Sequence, residues 1–445
     1  MRIKEEQLDQ YRQNFHQSPK NLVAMNAVTE NGLHKSAKNN SIMGRIPHEF
    51  SVIIPQKGIT NQKKTGRCWL FAATNCLRYQ MMKKYNLEEF ELSQNFLLFY
   101  DKLEKANYFL ESVMETLDEP VEGRLVSFLL TAPQQDGGQW DMFCNIVKKY
   151  GLVPKSAMPE TACSSATDEM QDCLAEKLRQ CACRLRRTHR EGCGMEGLRR
   201  EKERMMEDIY RILCICLGRP PQKFDFEIRS KDDQYVTAYG ITPHEFCREF
   251  VGVELDDYVS LINAPTEDKP FHRAYTVNFL GNVAEGNPVR YLNLPIEELK
   301  RLALAQLQDG EPVWFGCDVR RRKLRDEGIM DPGCCDVEAL LDTSFSMTKG
   351  QRLEYGQSLM THAMVFQGVN IGPDGKPNRW RVENTWGDEI GKKGYFVMTD
   401  SWFDEYMYQI VIHKKHLSPE LLKEYRSEAV MLEPWDPMGS LALAR

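Results

Sequence analysis

The run Gln62-Lys-Lys-Thr-Gly-Arg-Cys68-Trp69-Leu-Phe-Ala-Ala puts an amide, a thiol and the start of a helix-forming stretch within one short segment. A helix N-terminus carries positive partial charge and unpaired N–H groups, so it is expected to lower the Cys68 thiol pKa and favour the nucleophilic thiolate. A thiol nucleophile also needs a base, and the base needs a group that orients it. Of the nine histidines, His362 stands directly before the apolar run Ala363-Met-Val-Phe, where a strand start can aim a ring into a cleft. Asn384, in Glu383-Asn-Thr-Trp-Gly on the next expected strand, offers a side-chain carbonyl to the imidazole, and Trp386 would shield that hydrogen bond from water. The Gln62 amide and the Cys68 backbone N–H would donate to a developing oxyanion. Taken singly, each residue has a plainer reading: Cys68 as a core thiol, Gln62 as a solvated loop amide, His362 as a core histidine, Asn384 as a turn residue. Their joint order carries the chemistry.

These groups must be held by surrounding elements. Leu70, Phe71, Leu77, Met81 and Tyr85 recur near helical spacing after Cys68, and Ser93 is a good N-cap for a second helix. Asp136-Gly-Gly reads as a loop before a helix from Trp140 to Tyr150. Residues 159–217 are rich in Glu, Lys, Arg, Met and Cys and read as helical, closed by Pro220-Pro221; residues 243–270 read as loop plus a short helix. Pro295 sits at a plausible first helical position with acids behind it. After Gly310 short apolar runs alternate with turn residues, as in antiparallel strands, with Gly372-Pro-Asp-Gly as a hairpin connection. Helices first and strands last imply an α+β fold with two lobes meeting at a cleft. Residues 3–50 are polar and are expected to wrap another lobe without a core of their own.

Composition narrows the function classes. A net charge of −6, with 42% hydrophobic and 27% charged residues, is ordinary for a soluble protein and exerts no global pull on nucleic acid or acidic membranes. The first ten residues lack an apolar signal region, and no run approaches the ~20 apolar residues of a spanning helix. The 14 cysteines are therefore expected to be reduced thiols in a cytoplasmic protein. Seven of them, Cys163 to Cys216, cluster with His189, but the Cys-x-Cys gaps at 181–183 and 214–216 do not match zinc knuckles. No metal or other cofactor is expected. The basic stretch from Arg184 to Arg190 reads as a solvated or subunit-contact face, so no nucleic-acid partner is expected.

The segments around Gln62–Ala73, Thr361-His-Ala-Met and Glu383-Asn-Thr-Trp-Gly resemble papain-like cysteine peptidases, and the chain is most similar to their bleomycin hydrolase and aminopeptidase C branch. Asp101-Lys-Leu-Glu-Lys, Asp136-Gly-Gly-Gln-Trp-Asp-Met, Met398-Thr-Asp-Ser-Trp-Phe and Trp435-Asp-Pro-Met-Gly carry the likeness across almost the whole chain. The resemblance implies Cys68 as nucleophile, His362 as general base and acid, Asn384 as orienter, Gln62 as oxyanion donor, and Trp69 and Trp386 as support. It further implies that Gly137 and Gly138 pair with the substrate main chain, and that the protein is a homohexamer acting on peptides. In this branch the C-terminal carboxylate meets the substrate ammonium, which makes an aminopeptidase; bleomycin-like amides are included. The tail here continues past Ala442 through Leu443, Ala444 and Arg445, so the enzyme either trims its own end or loops the arm differently.

His362 lies 294 positions downstream of Cys68 (362 − 68), against about 130–150 in papain, and a helical insertion accounts for the excess. The expected division is a helical lobe at 1–158, a mainly helical insertion at 159–295, a β-rich lobe at 296–432 and an arm at 433–445. Two rivals remain: an acyl-transferring Cys–His enzyme, which usually presents aspartate where Asn384 stands, and a catalytically inactive scaffold.

Overall fold

The central helix, Cys68–Lys84, buries every residue from Cys68 to Asn75, so it runs through the interior instead of lying on it. A helix apolar on all sides is stable only when surrounded. Its neighbour, Gln94–Glu115, starts where expected: the Ser93 hydroxyl accepts from the Phe96 N–H at 3.1 Å. The helix Trp140–Tyr150 follows the Asp136-Gly-Gly loop, and a long helical pair, Asp168–Arg190 and Met195–Leu217, packs its Leu174, Leu178, Leu198, Ile209 and Leu213 stripe inward. The computed structural model describes residues 2–55 and 58–441, so residues 442–445, on which the trimming expectation falls, lie outside the described residues.

The strands are β1 (Val52–Ile53), β2 (Phe224–Arg229), β3 (Tyr235–Ile241), β4 (Tyr258–Ile262), β5 (Arg273–Val277), β6 (Tyr291–Asn293) and β7 (Val313–Cys317). They continue with β8 (Lys323–Leu324), β9 (Ile329–Met330), β10 (His362–Ile371), β11 (Pro377–Glu383), β12 (Tyr395–Thr399), β13 (Met407–His413) and β14 (Val430–Leu432). Twelve of them form one sheet in the order β14-β5-β6-β4-β13-β7-β10-β11-β12-β9-β8, with β1 alongside β10. The chain is thus α+β with two lobes, as expected. β10 carries the candidate histidine and the candidate asparagine follows β11, the two strands pairing antiparallel at the sheet centre with Val365 opposite Glu383.

Three details differ from the expectation. Residues 258–293, assigned to a mainly helical insertion, hold β4, β5 and β6 of the main sheet, and β2–β3 form a separate hairpin. The sheet is mixed: β4 with β6, β5 with β14 and β9 with β12 are parallel. Pro295 caps its helix instead of occupying the first turn, and the helix is Ile296–Gln308.

The N-terminal helices Glu5–Gln17 and Pro19–Asn31 bury no residue, and the segment grips the β lobe through Ile42, Ile46 and Phe50 on Leu324, Ile329 and Val397. Among the described residues no helix is long and apolar enough to cross a membrane. The lobes are joined by a buried ion pair, Arg78–Glu383 at 2.6 Å, and by Trp314 Nε1 donating to the Trp69 carbonyl at 3.2 Å. The described tail is anchored too: Trp435 stacks under Arg124 at 3.8 Å and Asp436 pairs with Lys269 at 2.8 Å.

Candidate active site

Cys68 is the first residue of the central helix, and Arg67 before it is buried and held by two contacts to Glu160, at 3.1 and 2.8 Å. Across the lobe junction His362 opens β10. The N–H of the next residue, Ala363, donates to Cys68 Sγ at 3.4 Å, which sets the sulfur against the strand start that carries the imidazole. Asn384 follows the last residue of β11, and its Oδ1 lies 3.0 Å from His362 Nε2. A carbonyl oxygen only accepts, so Nε2 holds the proton and Nδ1 keeps the lone pair. Nδ1 is buried without a hydrogen-bond partner among the described residues. Thr385 N–H also donates to Asn384 Oδ1 at 2.8 Å, which fixes the amide's orientation. The Trp386 ring lies 5.0 Å from the imidazole at 32°, as a shield would.

Gln62 is tied to the same strand end. Its N–H donates to the Thr385 carbonyl at 2.8 Å, and the Thr385 hydroxyl donates to Gln62 Oε1 at 2.5 Å. Its side-chain Nε2 donates to the Thr65 carbonyl at 2.6 Å. The amide therefore cannot flip without breaking both side-chain contacts. Gln62, Cys68 and His362 are all fully buried.

The glycine loop stands on charges that sequence reasoning did not assign. Trp69 Nε1 donates to the Asp136 carbonyl at 2.7 Å, and a Cβ at Gly138 would lie 2.6 Å from the Trp69 ring. Only glycine lets that backbone lie on the indole. The Gly137 carbonyl accepts from Lys105 Nζ at 2.7 Å, and the Lys105 ammonium pairs with Asp101 at 2.7 Å. Asp136 itself pairs with Lys102 at 2.8 Å and accepts from the Gly66 N–H and the Thr167 hydroxyl. Burial opposes its ionisation, yet Lys102 and these donors hold its carboxyl well below the usual carboxylate range. Burial lowers the Lys105 pKa while Asp101 opposes it. The signal was present as Asp101, Lys102 and Lys105 at i, i+1 and i+4, but that spacing equally describes a solvated helix face.

The thiol departs from expectation. Burial pushes Cys68 up to about 12; the N–H groups of Ala363, Trp69 and Cys68 pull it down but do not prevail. Burial also pushes His362 down to about 4, with the Asn384 hydrogen bond acting against it. Each group alone is neutral in this closed site. Moving a proton from sulfur to imidazole creates no net charge, so burial opposes that transfer less than it opposes ionising either group separately.

The tail closes one end of this region. Gln139 Nε2 donates to the Ser440 carbonyl at 2.9 Å, and the Ser440 hydroxyl donates to the carbonyl of Met360, two residues before His362. A cavity of about 700 Å³ flanks it, lined among others by Lys105, Tyr108, Phe128, Met142, Trp435 and Leu441.

The sequence model of the Peptidase C1-like family matches residues 2–439. The chain belongs to that family. It is 46% identical over 438 residues to Aminopeptidase C of Listeria monocytogenes, covering 98% of each chain. To human Bleomycin hydrolase it is 43% identical over 439 residues, covering 97% of this chain and 96% of that one. The crystal structure of PepW from Lactobacillus rhamnosis superposes with a TM-score of 0.97 at 46% identity over 99% of both chains. Within this peptidase family, Cys68, His362, Asn384, Gln62 and Trp386 converge at the lobe junction, with Trp69, Gly137 and Gly138 on the helical-lobe wall beside them.

Proposed function

We propose that this cysteine aminopeptidase works through Cys68 as nucleophile, His362 as general base and acid, Asn384 as its orienter and Gln62 as oxyanion donor. Cys68 passes its proton to His362 Nδ1 as sulfur attacks the carbonyl of a peptide bond. The tetrahedral oxyanion accepts from Gln62 and the Cys68 N–H. His362 then protonates the leaving amine, and a water, deprotonated by His362, releases the acyl group and restores the thiol. The observation that carries this reading is the His362 Nε2 to Asn384 Oδ1 contact at 3.0 Å together with the Ala363 N–H to Cys68 Sγ contact at 3.4 Å.

The N-terminal selectivity belongs to the arm that ends the chain. Its described part reaches Gln139 and Met360, which supports an arm whose terminal carboxylate meets the substrate ammonium. Gly137 and Gly138 pair with the substrate main chain. The human relative's name extends the reading to amides of the bleomycin type. A homohexamer in the cytoplasm completes it. Exposed Tyr11, Val23 and Met25 on helices that bury nothing support subunit contacts, and fourteen free cysteines suit a reducing compartment.

The test is hydrolysis of aminoacyl fluorogenic substrates with free and with blocked amines, in wild type and Cys68→Ala. Cleavage confined to free amines and to wild type is expected. Equal cleavage of blocked substrates would remove the aminopeptidase reading; undiminished Cys68→Ala turnover would remove the nucleophile.

A further inference from the structure

The reacting bond has two sides, and the tail occupies one of them at Gln139 and Met360. On the other side a separate open cavity of about 420 Å³ is lined by Asn61, Lys63, Lys64, Ser165, Arg325 and Trp386. Its position is fixed by the site itself. Asn61 and Lys63 flank Gln62, Asn61 bridges to the Trp386 backbone, and the Trp386 indole lies 5.0 Å from the His362 ring. Its charge is one-sided, because three of the six lining groups are cations and none is acidic. A fourth cation, Lys323, stands over the Trp386 ring at 5.1 Å, and Arg325 stands over it at 5.3 Å. Among the described residues the Lys63 and Lys64 ammonium groups make no ion pair, and Arg325 has only the exposed Asp326, at 4.0 Å.

His362 protonates the leaving amine, so under the function proposed above, on which this inference rests, the departing peptide extends toward His362 and Trp386. The blocked side leaves it no alternative. We propose that this cavity receives the first residues of the departing peptide and selects those that carry a carboxylate, with Lys64 and Arg325 as the residues that determine the preference. The carboxylate comes from an acidic side chain next to the cleaved bond or from the C-terminus of a very short peptide. The apolar face of Trp386 packs the intervening chain.

Four tripeptides with the same free N-terminal alanine test this: Ala-Asp-Gly amide, Ala-Gln-Gly amide, Ala-Lys-Gly amide and the free acid Ala-Gln-Gly. In wild type, kcat/KM is expected to be about fivefold higher for the Asp than for the Gln amide and about fivefold lower for the Lys amide, the scale of exposed charge pairs. The spread should shrink in high salt. In Lys64→Glu the Asp-to-Lys ratio should fall or invert. Because both substrates are measured on the same variant, damage to folding cancels from that ratio. A gain for the Ala-Gln-Gly acid over its amide, without an Asp effect, assigns the carboxylate to the peptide terminus and supports the proposal. Equal kcat/KM for all four peptides, or a carboxylate preference (Asp over Lys, or acid over amide) that Lys64→Glu leaves untouched, overturns it and leaves the aminopeptidase reading standing. Equal cleavage of the peptides by Cys68→Ala would instead remove that underlying reading.

Discussion

His362 shows how one residue's protonation is set by competing terms. Burial lowers its pKa to about 4, Lys323 adds to that, and the Asn384 hydrogen bond works the other way. A group with a lowered pKa stays neutral until the pH falls to that value, so the lone pair on Nδ1 persists through weakly acidic solution. We expect kcat/KM to hold level down to about pH 5 and to fall as pH approaches 4, as measured with a substrate that does not titrate there. A midpoint near 6.5, the ordinary imidazole value, would show that the ring is solvated when it works. The thiol teaches the complementary lesson. A helix N-terminus does supply N–H groups to Cys68, yet full burial outweighs them and pushes its pKa up. The location of Cys68 was legible in its sequence neighbours. Its ionisation was not, because that depends on what covers it from the other lobe.

At the scale of elements, the site depends on a helix, a glycine loop and two strands meeting without gaps. Gly138→Ala would drive a methyl into the Trp69 ring. The expected cost is ~1–3 kcal/mol of stability, read from denaturant unfolding, with turnover falling as the loop shifts. Glu383→Gln would leave Arg78 charged and buried without its carboxylate; we expect ~3–5 kcal/mol lost, and much of it regained when Arg78→Met is paired with Glu383→Leu. The strands around His362 and Asn384 could be read in advance because their β-branched and aromatic runs are bounded by turn residues. Tyr258-Val-Ser-Leu-Ile has the same character, but prolines on both sides made it look like loop, and its partners β6 and β13 come from distant sequence. The Asp101–Lys105 and Lys102–Asp136 pairs were hidden for a different reason. Charges on a helix usually face water, and only the fold reveals that these lie beneath the glycine loop.

At the scale of the whole molecule, the N-terminal segment packs on the β lobe, whereas the tail reaches the edge of the site through Gln139 and Met360. Ending the chain at Glu433 removes the anchors Trp435 and Asp436 and the Ser440 contact with Met360. That variant is expected to retain hydrolysis and to accept peptides with blocked amines, checked by the ratio of blocked to free substrate turnover; an unchanged ratio would place the selectivity elsewhere. The α+β order was legible because the longest helices precede Gly218 and most strands follow it, whereas the reach of the tail depends on contacts that no local pattern encodes. The most direct measurement of the central claim is covalent labelling by a thiol-directed epoxide, mapped by mass spectrometry across all fourteen cysteines. Loss of activity in step with modification of Cys68 alone, abolished in His362→Ala, is the predicted result. Inactivation that tracks another cysteine, or full activity with Cys68 modified, would contradict it.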